Sequence, residues 1–173
     1  MTNVFNRLLK GERLKTLNVI DLLLYEIEHT YNKDDWYSPV ELVINDLTVQ
    51  QAVWKPENKT INSIWEITAH LLFYKERLLL RLRGKTAVYA SNNQDTFAYE
   101  GDSQEDWDAI VKRMHRVNGE IYGQIQKLSA IDLGNDTSKL PLCKHINGVI
   151  RHDAHHAGQI IVMRKLQDAW PVD

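Results

Sequence analysis

His152 and His156 stand four residues apart in the run Ile150-Arg151-His152-Asp153-Ala154-His155-His156-Ala157-Gly158-Gln159-Ile160. On an α-helix that spacing turns both imidazoles to one face, one turn apart, where they could hold a divalent metal. At ~100° per residue, His156 sits about 40° from His152 and Gln159 about 20° to the other side. Val149, Ile160 and Met163 fall on the same broad face, so the pair belongs to a buried or half-buried stripe. A neutral imidazole there costs desolvation unless each nitrogen finds a partner, and a metal ion is one such partner.

Two ligands are too few for a tight site. His70, in Ile64-Trp65-Glu66-Ile67-Thr68-Ala69-His70-Leu71, is the strongest third candidate, near an apolar stripe on a separate helix. Glu66, one turn earlier, could orient His70 or cap its helix, and capping is the expected role. Glu66 and Asp153 are also the best carboxylates for a general base. Asp153, about 100° round the helix from His152, could instead make an interhelical ion pair. His145 is on the right face but about 10 Å back along the axis, and His155 points some 60° aside. His115 and His29 read as boundary or helix-end residues. Cys143, the only cysteine, is a weak candidate nucleophile, better read as a small packing residue. Spacing alone fits two neighbouring histidines that hold nothing as well as it fits a metal site.

Four long helical stretches must position these residues. The first runs from about Leu8 to Tyr31, with Leu17, Ile20, Leu24 and Ile27 as its stripe. The segment from Asn32 to Asn62 follows. In it Ser38-Pro39-Val40-Glu41 predicts a short helix with Ser38 as N-cap, and Thr48 a second that ends before Trp54-Lys55-Pro56. Ser63 and Glu66 form a capping box for the second long helix, which runs to about Arg83 with Ile64, Ile67, Leu71, Leu78 and Leu82 inward. A polar loop, Lys85 to Asp102, precedes a third helix from Ser103 to about Leu128. Its Gly119 and Gly123 are tolerable where another helix packs closely. The fourth helix is expected from about Pro141 to Asp168. With no two-residue alternation to mark a sheet, the expectation is an all-α four-helix bundle, residues 1–173 as one domain. The long connection after helix one would permit a crossover.

The composition agrees. The 173 residues are 43% hydrophobic and 25% charged, with net charge −2, ordinary values for a folded globular chain. Basic residues are scattered, which disfavours nucleic acid as a partner. No apolar run is long enough to cross a bilayer, and the first residues lack a signal peptide's apolar core. With one cysteine in addition, a cytoplasmic protein is expected.

The Ile150–Ile160 run resembles the final-helix signature of the DinB/YfiT-like superfamily. Ser63–His70, with Trp54-Lys55-Pro56 before it, is similar to that family's second-helix motif. The similarity spans essentially the whole chain, though only the two His-bearing segments are specific. The resemblance implies a four-helix bundle whose three histidines hold zinc or nickel, and by position these are His70, His152 and His156. His155 departs from it, standing where an aromatic such as Tyr is frequent. The resemblance also implies a small-molecule substrate. Characterised relatives include transferases and isomerases that use a low-molecular-weight thiol, and others described as metal-dependent hydrolases; pairing as a homodimer is common. For a thiol pocket Tyr74, Arg77 and Gln159 are the nearest polar candidates. A metal-binding or dimerising module without turnover is the remaining expectation.

Overall fold

The first described helix, α1 (Val19–Tyr31), opens on a reciprocal box in which Asn18 and Asp21 each hold the other's backbone N–H. The computed structural model describes residues 18–33, 35–57, 60–135 and 140–170, so the expected start of helix one, 8–17 with Leu17, lies outside the described residues. Leu23, Ile27, Thr30 and Tyr31 are the buried face of α1, while Ile20 and Leu24 pack at its edge. The inward stripe is thus turned slightly from the expected one.

Two short helices follow, α2 (Val40–Ile44) and α3 (Val49–Val53). Pro39 itself is the N-cap of α2, with ψ 159°, and no side chain caps the helix. The expected Ser38 cap is therefore wrong by one residue, because proline fixes φ but leaves ψ free to stay extended. Thr48, expected to open a short turn here, caps α3 through a box with Gln51.

Helix α4 (Ile64–Leu82) begins at the Ser63–Glu66 box, and α5 (Gln104–Ile125) at a Ser103–Asp106 box. Each N-cap of this kind contributes about 1 kcal/mol. Helix α6 (Leu142–Lys165) starts after Pro141. One 3-10 turn, Gln94–Phe97, interrupts the polar loop, and another, Asp132–Gly134, precedes α6. No β-strand occurs among the described residues.

Both α1 and α4 pack on α5 and on α6, and all four contribute to a shared cluster of buried apolar side chains. Ile27, Ile64, Leu71, Met114, Ile121, Ile146 and Ile160 are completely or almost completely buried there. Burying each such side chain is worth roughly 1.5–3 kcal/mol. Gly119 and Gly123 do not serve close helix contact: a Cβ at either would meet nothing within 4 Å.

Chain direction follows from the cross-contacts. Trp65 meets Trp107, Glu76 meets Arg113 and Arg83 meets Glu120, so α4 and α5 run parallel. On the other side His70 meets His156 and Lys75 meets Asp153, while Arg81 and Lys144 share a cavity, so α4 and α6 are antiparallel. Parallel neighbours cannot be joined by a tight turn. The segment 83–103 must instead travel back along α4, about 28 Å for its 19 residues. Trp65 pins this return, stacked on Tyr99 with ring centroids 4.6 Å apart. The polar loop is therefore itself a crossover.

A buried ion pair ties α4 to α6. Lys75 and Asp153 are 0% and 1% exposed, with Nζ 2.5 Å from Oδ2. Lys75 also donates to Asn118 Oδ1 at 2.9 Å and lies 5.0 Å from the Tyr31 ring centroid. Burial raises the Asp153 pKa and Lys75 opposes the rise. Removing one partner of such a pair leaves an uncompensated buried charge, a cost of about 3–5 kcal/mol.

Candidate metal centre

His70 lies on the second turn of α4, and His152 and His156 lie one turn apart in the middle of α6. The antiparallel packing brings them together. His152 Nε2 is 2.9 Å from His70 Nε2 and 3.0 Å from His156 Nε2, and one ligand atom from each ring lies within 4.8 Å of the others. His70 is 3% exposed and His156 7%, while His152 is half-buried.

Two of the other ring nitrogens, those of His70 and His156, are held in place. Thr96, on the 3-10 turn of the crossover, donates its hydroxyl proton to Asn93 O, so at 2.5 Å it can only accept from His70 Nδ1–H. His156 Nδ1–H donates to Gln159 Oε1 at 2.6 Å, and the Gln159 amide donates in turn to His155 Nε2. Both tautomers therefore point an Nε2 lone pair at His152. An Nε2–H on His152 could satisfy only one of them, and two lone pairs would still face each other. His152 Nδ1, buried, makes no hydrogen bond in either case. Phe97 stacks on His70 with centroids 3.9 Å apart and planes at 8°, fixing the ring.

Protonation is a poor remedy for facing lone pairs. Burial, then the neighbouring His156, pushes His70 down from 6.5 to about 4. Burial, then His156, His70, His155 and Lys75, pushes His152 down to about 3. Burial also lowers His156, against the hydrogen bond it donates to Gln159. Three neutral imidazoles aimed at one point are a donor set suited to a divalent cation, with at least one coordination position left for a ligand from solution.

The carboxylates stand elsewhere. Glu66 accepts from Ser63 N and pairs with Lys55 Nζ at 2.6 Å, so it caps α4. Asp153 is committed to Lys75. His115 is bound to the Tyr31 hydroxyl at 2.7 Å, and His29 Nδ1 lies 2.7 Å from Tyr25 O. Cys143 is a free thiol outside the cluster. Sequence reasoning missed Thr96 and Phe97, which come from the crossover. Its one local signal is the Asn92–Asp95 pair, whose reciprocal bonds start the turn like a helix cap.

Tyr74 stands over the cluster, its ring centroid 4.9 Å from that of His152. Beyond it a cavity of about 420 Å³ opens from His152 along the α4–α6 seam, lined by Arg77, Arg81, Lys144 and Gly148 among others.

Three convergent histidines between packed helices, two of them tautomer-fixed, form a group that could hold a metal ion. The family model of the DinB superfamily matches residues 38–160, from the first short helix through the last histidine of the cluster. The chain belongs to the DinB superfamily. No curated protein matches it.

Proposed function

We propose that this chain is a metal-dependent enzyme in which His70, His152 and His156 hold a divalent cation, zinc or nickel, and a small thiol is activated for transfer to an electrophile. With it we propose that the four long helices form a DinB-type four-helix bundle with residues 1–173 as one unit. The observation that carries the reading is the convergence of three Nε2 atoms, two of them fixed as lone pairs, with at most one proton to share between them. A divalent cation bound there would supply the positive charge that favours thiolate over thiol at neutral pH.

The chain's own residues do the rest. Thr96 and Gln159 hold the imidazoles in the tautomer that presents Nε2. Depressed pKa values keep the rings unprotonated at neutral pH. The cavity beside His152 admits the substrate. In the transfer step the thiolate sulfur forms a bond to an electrophilic carbon, and the leaving group departs with its electron pair. The thiol proton passes to solvent. Hydrolysis is the second choice because it wants a general base, and Glu66 and Asp153 are both engaged in ion pairs.

The test is metal analysis of the wild type beside His70→Ala and His152→Ala, followed by thiol conjugation and ester or amide hydrolysis assays. Metal lost from both variants, with conjugation lost alongside, is expected. Metal content unchanged by His70→Ala would sink the ligand set. Metal binding without turnover in any assay would leave a binding module.

A further inference from the structure

On α6, the cavity that opens from His152 is floored by a glycine. Lys144, Gly148 and His152 follow one another at four-residue spacing, so they share a helix face, and all three line the cavity. Tyr74 and Leu78 of α4 line it from the other side of the seam. A side chain at 148 would therefore point into the cavity, between the lysine and the histidine of the cluster. Nothing in the fold requires glycine there. The position is interior to a 24-residue helix, where glycine is among the least favourable residues. Positive φ belongs to Gly84 and Gly101 and not to Gly148. A Cβ added at 148 would meet nothing within 4 Å. Gly158, on the same helix, has equal room but is exposed and stands outside the cavity lining.

We propose that Gly148 is the specificity-determining position of the site: the non-reacting, apolar part of the substrate lies on its bare backbone, and the missing side chain sets how bulky a molecule can reach the histidines. The proposal deepens the reading above and rests on it for the metal and the reaction. At a rise of ~1.5 Å per residue, position 148 lies about 6 Å along the axis from His152. A molecule held by one atom at the cluster would lay its next several atoms across this glycine. Leu78 and Val149 make the adjoining walls apolar. The volume of about 420 Å³ falls within the range of small-molecule sites, roughly 300–1,000 Å³. A leucine at 148 would project into that volume and leave room only for a small ligand at the metal.

The test uses the full chain loaded with cobalt(II), whose visible spectrum reports a ligand entering the open coordination position without turnover. Two pairs of ligands are compared: ethanethiol with benzyl mercaptan, and imidazole with N-phenylimidazole. The variants are Gly148→Ala and Gly148→Leu, with cobalt content and melting temperature measured alongside. Wild type should take both members of a pair. Gly148→Leu should keep the small member and weaken the phenyl one by roughly tenfold or more, the size of an overpacking effect. Gly148→Ala should weaken it less, retain cobalt and melt no lower than wild type. Should Gly148→Leu fail to fold, that graded loss in Gly148→Ala decides the matter. A phenyl-to-small ratio unchanged by the substitutions overturns the proposal, as does a wild type that already refuses both phenyl ligands. Loss of cobalt or a lowered melting point in Gly148→Ala would make the glycine structural and overturn it too, and so would a folded Gly148→Leu that rejects the small ligands. If the imidazoles alter the spectrum and the thiols do not, the thiol reading has failed and the imidazole pair alone decides Gly148. A spectrum that no ligand alters would sink both.

Discussion

Thr96 decides which nitrogen of His70 faces the cluster. Its hydroxyl proton is spent on Asn93 O, so it can accept only from Nδ1–H. Thr96→Val keeps the shape and removes the acceptor, leaving His70 free to turn its proton towards the centre. Loss of such an orienting partner costs a metal site about 10–100-fold in affinity. Competition with a chromophoric chelator should show that drop in zinc affinity, with α-helix content by circular dichroism unchanged. Affinity equal to wild type would mean that Thr96 only packs. The three histidines were legible from the sequence because two obey a helical spacing and the third stands near an apolar stripe. Thr96 and Phe97 were not, since a crossover has no period to say which of its side chains turns inward.

At the scale of elements, the helix starts at Thr48, Ser63 and Ser103 were readable because each capping signal is written within four residues. The Ser38 cap failed because one residue's ψ decides it and no side-chain pattern reports ψ. Two glycines flanking α5 and within it give opposite expectations. Gly119 is exposed, and a Cβ there meets nothing, so Gly119→Ala should stabilise by about 0.5–1 kcal/mol through helix propensity. Gly101 has φ +97°, and its Cβ would fall 2.5 Å from Asp106 Cγ, the carboxylate that caps α5. Gly101→Ala should destabilise through both strain and the disturbed cap. Urea unfolding of the two variants checks the pair. A destabilised Gly119→Ala would mean that α5 is contacted there by something beyond the described residues.

The whole molecule carries the cost of keeping its imidazoles neutral. His70 and His152 titrate near 6.5 when unfolded but at about 4 and about 3 when folded. Below pH 6.5 the unfolded chain therefore binds more protons than the folded one, and stability falls as pH falls. The loss should begin near pH 6.5 and continue towards the folded values. Thermal melts of the metal-free protein from pH 8 to pH 4 should show a steadily falling midpoint, and His152→Gln should flatten the curve. A midpoint constant between pH 6.5 and 5 would contradict the burial of these rings. Helix direction belongs to this scale too. The hydrophobic period says which face of α4 or α5 is inward, but it is blind to whether the two run parallel, so the crossover could not be assigned to its true place.

His70 and His152 are 82 residues apart, and nothing shorter joins the first ligand to the other two. During synthesis at ~5–20 residues per second, His70 is made roughly 4–16 s before His152. A nascent chain in that interval has one imidazole of the cluster and no site. Any metal capture by the three histidines must therefore wait until the two on α6 have been made.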